Sequence, residues 1–279
     1  MTKKPLNSLS SPKFTSADLL TTFFPTAGKR MRSPTEILRN AGGQTARDTK
    51  RASSWFRRGW TLQELLAPVG SCERLLLNSK WEVMGGIPSS SGTGPYLGDY
   101  DVDSLLSVVS EITGIQEDYL TGSRSIEEAS VACRMSWSSN RSATLTEDEA
   151  YCLMGIFNVN MPLLYGEGHG AFRRLQEEII RTSTDQSIFA SSYERFLSAL
   201  DPSDFAGSGN VVTRSHESHR VVKHMPIQPF EMTNLGVRFR AAIRRGRLHG
   251  QYQGFRAFQL NCFEMSGAED TLTPIYLAL

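Results

Sequence analysis

Long apolar runs are absent from this chain of 279 residues, and with them the ~20-residue stretch that a membrane-spanning helix needs. Residues 19–24 make too short an apolar run for a secretory signal, and Pro25 follows at once. Cysteine is sparse and scattered: Cys72, Cys133, Cys152 and Cys262 form no CxxC pair. That argues against a zinc knuckle or a disulfide framework, and for reduced, mostly buried thiols in an intracellular protein. His216, His219 and His224 lie in a polar segment without an HExxH arrangement, so they are expected in a loop and not at a metal. Gly28-Lys29 lacks both the upstream glycine and the following Ser or Thr of a phosphate loop. Spacing assembles no Ser/His/Asp or Cys/His catalytic set, and no internal repeat is visible.

Charge, by contrast, is present and uneven. The net charge is +1, yet residues 1–58 hold twelve Lys/Arg against three Asp/Glu, a local +9 that leaves −8 for the remainder. A basic leader on an acidic body fits a low-order arm, with a nucleic-acid or membrane-surface contact or a transit peptide as alternatives. The basic residues are scattered without interleaved aromatics, which disfavours nucleic acid. The chain is long enough for a substantial core. It divides into a basic leader over 1–50, a helix-rich block over 51–186 and a β-rich segment over 187–279.

The densest stretch is Trp55-Phe56-Arg57-Arg58-Gly59-Trp60-Thr61-Leu62-Gln63-Glu64-Leu65-Leu66-Ala67-Pro68. Thr61 followed by Glu64 fits a capping box. Leu62, Leu65 and Leu66 recur at helical spacing, and Pro68 stops the helix. Glu64, in an aromatic and aliphatic surround with Arg57, Arg58 and Gln63 nearby, is a candidate acid/base or ribose-binding carboxylate. The competing reading is that Glu64 only closes the cap.

Further on, residues 73–77 read as a short buried strand and 87–100 as a Gly/Ser/Pro-rich loop. An amphipathic helix over 103–112 stops at Gly114, and a short helix covers 116–120. Ser125 with Glu128 fits a capping box opening a helix as far as Trp137; Thr146 with Glu149 fits another, leading into 150–157. After a loop over 158–170, Phe172, Leu175, Ile179 and Ile180 mark the core face of a helix, with Glu177–Arg181 as an i,i+4 pair. Short strands are expected over 187–190, 210–213, 237–241, 255–260 and 273–277. Trp60, Leu65, Met135, Trp137, Tyr151, Leu153, Phe157, Leu164, Phe172, Leu175 and Ile179 are the expected core.

Other candidates have plain competing readings. The run Tyr165-Gly166-Glu167-Gly168-His169-Gly170 could cradle an anion on free amides, but a tight interhelical turn is the favoured reading. Glu147-Asp148-Glu149 reads as an answer to a helix dipole. Arg238, Arg240, Arg244, Arg245 and Arg247 begin as the solvated face of a strand.

Residues 55–68 resemble a late signature block of the fungal heterokaryon-incompatibility (HET) domain. The likeness continues at Glu111-Ile112-Thr113-Gly114-Ile115 and at residues 130–137. It is densest from Ala150-Tyr151-Cys152-Leu153-Met154-Gly155 through Gly168, then runs on through 171–180 and 185–190. Residues 204–210 and 232–237 resemble the segment C-terminal to this domain in vegetative-incompatibility proteins. The resemblance implies an α/β to α+β fold and a cytoplasmic effector of regulated cell death after non-self recognition. Such an effector would act through contacts with other incompatibility or signalling proteins, or through self-association, without a cofactor. It also implies an alternative, a TIR-like hydrolase of NAD or another nucleotide with Glu64 as the catalytic carboxylate. Arg58, Trp60 and Gln63 would be binding residues. The family's earlier blocks find no counterpart in residues 1–50, so the resemblance implies a HET module with an incomplete sheet, active in truncated form or persisting as an inactive remnant.

Overall fold

The computed structural model describes residues 20–22, 54–67, 74–77, 83–90, 96–97, 100–101, 104–191, 199–213, 229–234, 236–238, 242–244, 257–266 and 271–278. Most of the basic leader, Cys72, His216, His219, His224, Arg240, Arg245 and Arg247 lie outside the described residues. The fold is mixed α+β, with small antiparallel sheets and a β-rich C-terminal part.

Strand β1 (Leu20–Thr22) pairs with β2 (Arg74–Leu77), which pairs in turn with β3 (Val83–Ile87). All four β2 residues are buried, as a short apolar strand inside a core should be. Helix α1 (Thr61–Leu66) precedes β2 and buries Leu62, Leu65 and Leu66. A two-residue hairpin, β4 (Tyr96–Leu97) with β5 (Tyr100–Asp101), leads toward α2 (Leu106–Thr113). Gly114 ends α2 in the left-handed conformation, its N–H bonded to Ser110 O, where the sequence places the stop. Helix α3 (Glu117–Thr121) follows.

The helix expected from Ser125 to Trp137 is broken in two. Ser125 Oγ accepts from Glu127 N and opens only a 3-10 turn over Ile126–Glu128. Ala129 is extended, and Ser130 then caps α4 (Val131–Ser136) by accepting from Cys133 N. The break has a tertiary cause. The first amides of α4 find acceptors far along the chain, Val131 N at Asp185 Oδ2 and Ala132 N at Ser187 Oγ. The capping box expected at Thr146 and Glu149 also fails, because Glu149 N bonds the backbone of Thr146 and not its side chain. Helices α5 (Asp148–Tyr151) and α6 (Met154–Phe157) are short, and Asn158 closes α6 with φ 52°.

Helix α7 (Gly170–Thr182) buries Phe172, Leu175, Gln176, Ile179 and Ile180. Its ion pairs are Arg173–Glu177 and Glu178–Arg181, replacing the expected Glu177–Arg181. Residues 187–190, read as strand-like, instead belong to a 3-10 turn over Gln186–Phe189, because Asp185 Oδ1 accepts from Ser187 N and bends the chain. The C-terminal sheet is built on β10 (Ala257–Ser266). It pairs with β11 (Thr271–Ala278), with β6 (Val211–Thr213) and with β9 (Ala242–Arg244). A separate hairpin joins β7 (Glu231–Thr233) to β8 (Gly236–Arg238).

One cluster of buried side chains gathers the core, from Trp55 through Leu65, Met135, Trp137, Tyr151, Leu153, Phe157, Phe172, Leu175 and Ile179 to Cys262. Two expected members are not in it. Trp60 is 42% exposed and Leu164 is 52% exposed. Trp60 lies just before α1, off the face that Leu62, Leu65 and Leu66 present inward. Leu164 turns its backbone inward, where N–H and C=O both bond the Tyr151 hydroxyl, and its side chain outward.

Candidate functional site

Helix α1 carries the residues singled out from sequence, and it is held differently from the capping-box expectation. Trp60 takes the N-cap position with helical dihedrals and makes no side-chain cap bond. The Thr61 hydroxyl lies 2.5 Å from Trp55 O and 2.8 Å from Arg58 O, so it donates backward into the preceding turn. It also accepts from Arg141 Nη1 at 2.9 Å. Glu64 is exposed and closes no cap.

Two buried arginines clasp the helix from either end. Arg141 Nη1 also donates to Arg58 O at 3.0 Å, while its Nη2 is buried without a partner. Arg74 Nη1 donates to Leu65 O at 2.5 Å, and its Nε is likewise unpartnered. Burial pulls both guanidinium groups down to about 10. Neither has a carboxylate partner among the described residues, so both charges are directed at backbone carbonyls, and Arg74 sits where the negative end of α1 favours a cation. Sequence reading missed both. The available signal was Arg74 inside an otherwise apolar strand, since an arginine with no polar neighbour on its face must find a buried acceptor.

The third support is Gly59. Its N–H donates to Ser142 O at 3.0 Å, and a Cβ there would come within 3.0 Å of Cys152 Sγ. Burial pushes the Cys152 thiol up to about 12, so this is a packing group and not a nucleophile. Gln63 Nε2 donates to Cys152 O at 2.6 Å and ties α1 to the junction of α5 and α6. Of the four sequence candidates, Gln63 is thus committed to a backbone carbonyl and Arg58 is half-buried. Trp60 and Glu64 stand exposed, one helical turn apart.

A second constellation surrounds the glycine-rich turn between α6 and α7. Gly166 N and Gly168 N donate to Glu147 Oε1 at 2.7 and 2.9 Å. Both glycines have positive φ, 102° and 54°, which glycine adopts at no steric cost. The turn is therefore a tight interhelical one whose amides close on an internal anion. Those N–H bonds, Gly168 foremost, hold the Glu147 carboxyl below the ordinary range. Its acidic neighbours Asp148 and Glu149 stand in the first turn of α5, as expected, and Asp148 Oδ1 also accepts from the Tyr165 hydroxyl at 3.1 Å. Tyr151 OH accepts from Leu164 N at 2.7 Å and donates to Leu164 O or Glu167 Oε1. Arg174 grips both oxygens of Glu167 and adds Pro162 O at 2.9 Å. Its hydrogen bonds hold the Glu167 carboxyl below its usual value. Together these groups fasten the loop to α5 and α7.

Elsewhere, a cleft of about 290 Å³ lies between α7 and the β7–β8 hairpin, lined by Arg173, Gln176, Glu177, Met232, Asn234 and Val237. Arg238 pairs with Glu231 at 3.1 Å. Among the described residues, no group of three or more His, Cys, Asp or Glu could hold a metal ion, and no helix is long and apolar enough to cross a membrane. Cys133, Cys152 and Cys262 are free and buried.

The chain is similar to known proteins in two places. A family described as "Domain of unknown function (DUF8212)" matches residues 170–195, which take in α7 and the turn after it. Over 126 residues, 45% of its length, the chain is 40% identical to "Vegetative incompatibility protein HET-E-1" of Podospora anserina. It spans 8% of that protein's length. No solved structure matches. The 126-residue similarity supports a HET-like relationship for this chain, linked to fungal vegetative incompatibility.

Proposed function

We propose that this protein is a HET-type effector of vegetative incompatibility, acting in the cytoplasm in regulated cell death through contacts with other incompatibility or signalling proteins. The observation that carries the reading is the 40% identity over 126 residues to a vegetative incompatibility protein. The geometry is in keeping with it: Arg58, Gly59, Thr61 and Gln63 all contribute to seating α1, as parts of a scaffold do. The test is a segment swap. The matching segment of the Podospora protein is replaced by that of this chain, and growth arrest is scored in a fungal host at equal expression. Arrest by the chimera is expected; its loss in a folded chimera would overturn the reading.

Nucleotide hydrolysis is the second reading, with NAD as candidate substrate and Glu64 as the catalytic carboxylate. What favours it is that Trp60 and Glu64 are both exposed, one helical turn apart. Against it, among the described residues no hydrogen bond or ion pair orients the Glu64 carboxylate. Purified chain incubated with NAD decides the matter, since hydrolysis abolished by Glu64→Gln would favour the enzyme.

A further inference from the structure

The loop pinned by Glu147, Tyr151 and Arg174 holds apolar side chains out in solvent. Leu163, Leu164 and Tyr165 are each about half exposed, as are Leu145 and Leu200 on neighbouring segments. Hydrogen bonds tie the three segments together. Tyr165 OH donates to Asp148, whose N–H donates to Leu145 O at 3.1 Å. His169 Nδ1 lies 3.2 Å from Leu200 O. Tyr165 is anchored by Asp148 and by the Tyr151 ring, edge-on at 5.5 Å, whereas Leu163 and Leu164 leave about half of their surface in solvent. Apolar patches with a polar rim mark interaction sites.

The rim is acidic. Asp148 and Glu149 belong to α5, to which Tyr165 is bonded, and Asp201 and Asp204 follow Leu200, with Asp204 Oδ2 accepting from Leu200 N at 2.7 Å. Burial first, then the charge of Asp201, pushes the Glu149 carboxyl above its usual range, so these two acids are close neighbours. Arg174 does not offset them, because Glu167 holds its guanidinium.

We infer that the face formed by Leu145, Leu163, Leu164, Tyr165 and Leu200 is a docking surface for a basic amphipathic segment of another protein. Apolar side chains of the partner would cover the leucines, and its Lys or Arg side chains would meet the acidic rim. This locates the protein contact required by the proposed function and rests on that reading.

The full chain is titrated with a fluorescein-labelled synthetic helix of about five turns, with leucines on one face and lysines on the other. A twin peptide carries glutamate in place of each lysine. The lysine peptide should bind saturably at one site, weaken with added salt, and exceed the glutamate peptide. Leu163→Ser combined with Leu164→Ser should weaken binding by on the order of tenfold. Leu200→Ser, on a separate segment, should weaken it in the same direction, with thermal unfolding unchanged in both variants. Equal affinity of the leucine variants, equal binding of the two peptides, or a dimer in sedimentation that the leucine variants abolish would overturn the inference. Growth arrest that persists when peptide binding is lost would sink the surface alone. Binding that persists when the segment swap fails to arrest growth would leave the surface standing and sink the functional reading.

Discussion

The Thr61 hydroxyl accepts a hydrogen bond from the Arg141 guanidinium at 2.9 Å, across 80 residues of sequence. That contact replaces the local cap expected between Thr61 and Glu64, and it makes the start of α1 a tertiary feature. Thr61→Val keeps the shape but removes a partner from a buried charged donor, so we predict a loss of about 1–3 kcal/mol in urea unfolding. Glu64→Gln should stay within about 0.5 kcal/mol, the range of ordinary surface changes. The reverse order would restore the capping box.

Phe172 is 2% exposed on the inward face of α7. Phe172→Ala should cost about 3–5 kcal/mol by cavity formation and lost burial. An unfolding titration showing less than about 1 kcal/mol would mean that this face of α7 packs on nothing rigid.

Periodicity made α7 and the Gly114 stop legible, because large apolar side chains recurring every three or four residues and a helix-ending glycine are local signals. What stayed illegible was decided by distant partners. Thr61 and Glu64 have the right letters for a cap, but Arg141 and the carbonyls of Trp55 and Arg58 compete for the hydroxyl. Arg74 and Arg141 look like surface charges until their acceptors are known. The apolar triplet Ile188-Phe189-Ala190 resembles a strand, yet Asp185, accepting from Ser187 N, bends the chain into a turn. At the glycine-rich run the turn was legible, whereas its internal anion was not, since Glu147 lies 19 residues before Gly166.

Glu147 offers a pH test. Its folded-state carboxyl is held below the ordinary range, so its contribution is fully present above the unfolded value and lost as pH falls through the depressed one. The stability gap between the wild type and Glu147→Gln should therefore be constant at neutral pH and close in acid, below the usual carboxylate range. In the same variant the Gly166 and Gly168 amides should exchange faster with solvent. A gap unchanged down to strongly acidic pH would show that the charge on Glu147 does not hold the turn.

Gly59 and Cys152 should be coupled. Gly59→Ala places a methyl against a buried sulfur, for which we predict a cost of about 1–3 kcal/mol. Cys152→Ala in the same chain should remove part of that cost, read as a non-additive double-mutant cycle. Strict additivity would mean that the two residues do not touch.

Growth arrest in a fungal host, with cellular NAD followed in parallel, separates an effector working by contact from one working by hydrolysis. The segment-swap chimera is expressed with Glu64 intact and as Glu64→Gln, at matched protein levels. We predict equal arrest by both and no fall in NAD that depends on Glu64. Arrest abolished by Glu64→Gln, together with NAD depletion only in the intact form, would contradict the contact mechanism and make Glu64 the catalytic carboxylate.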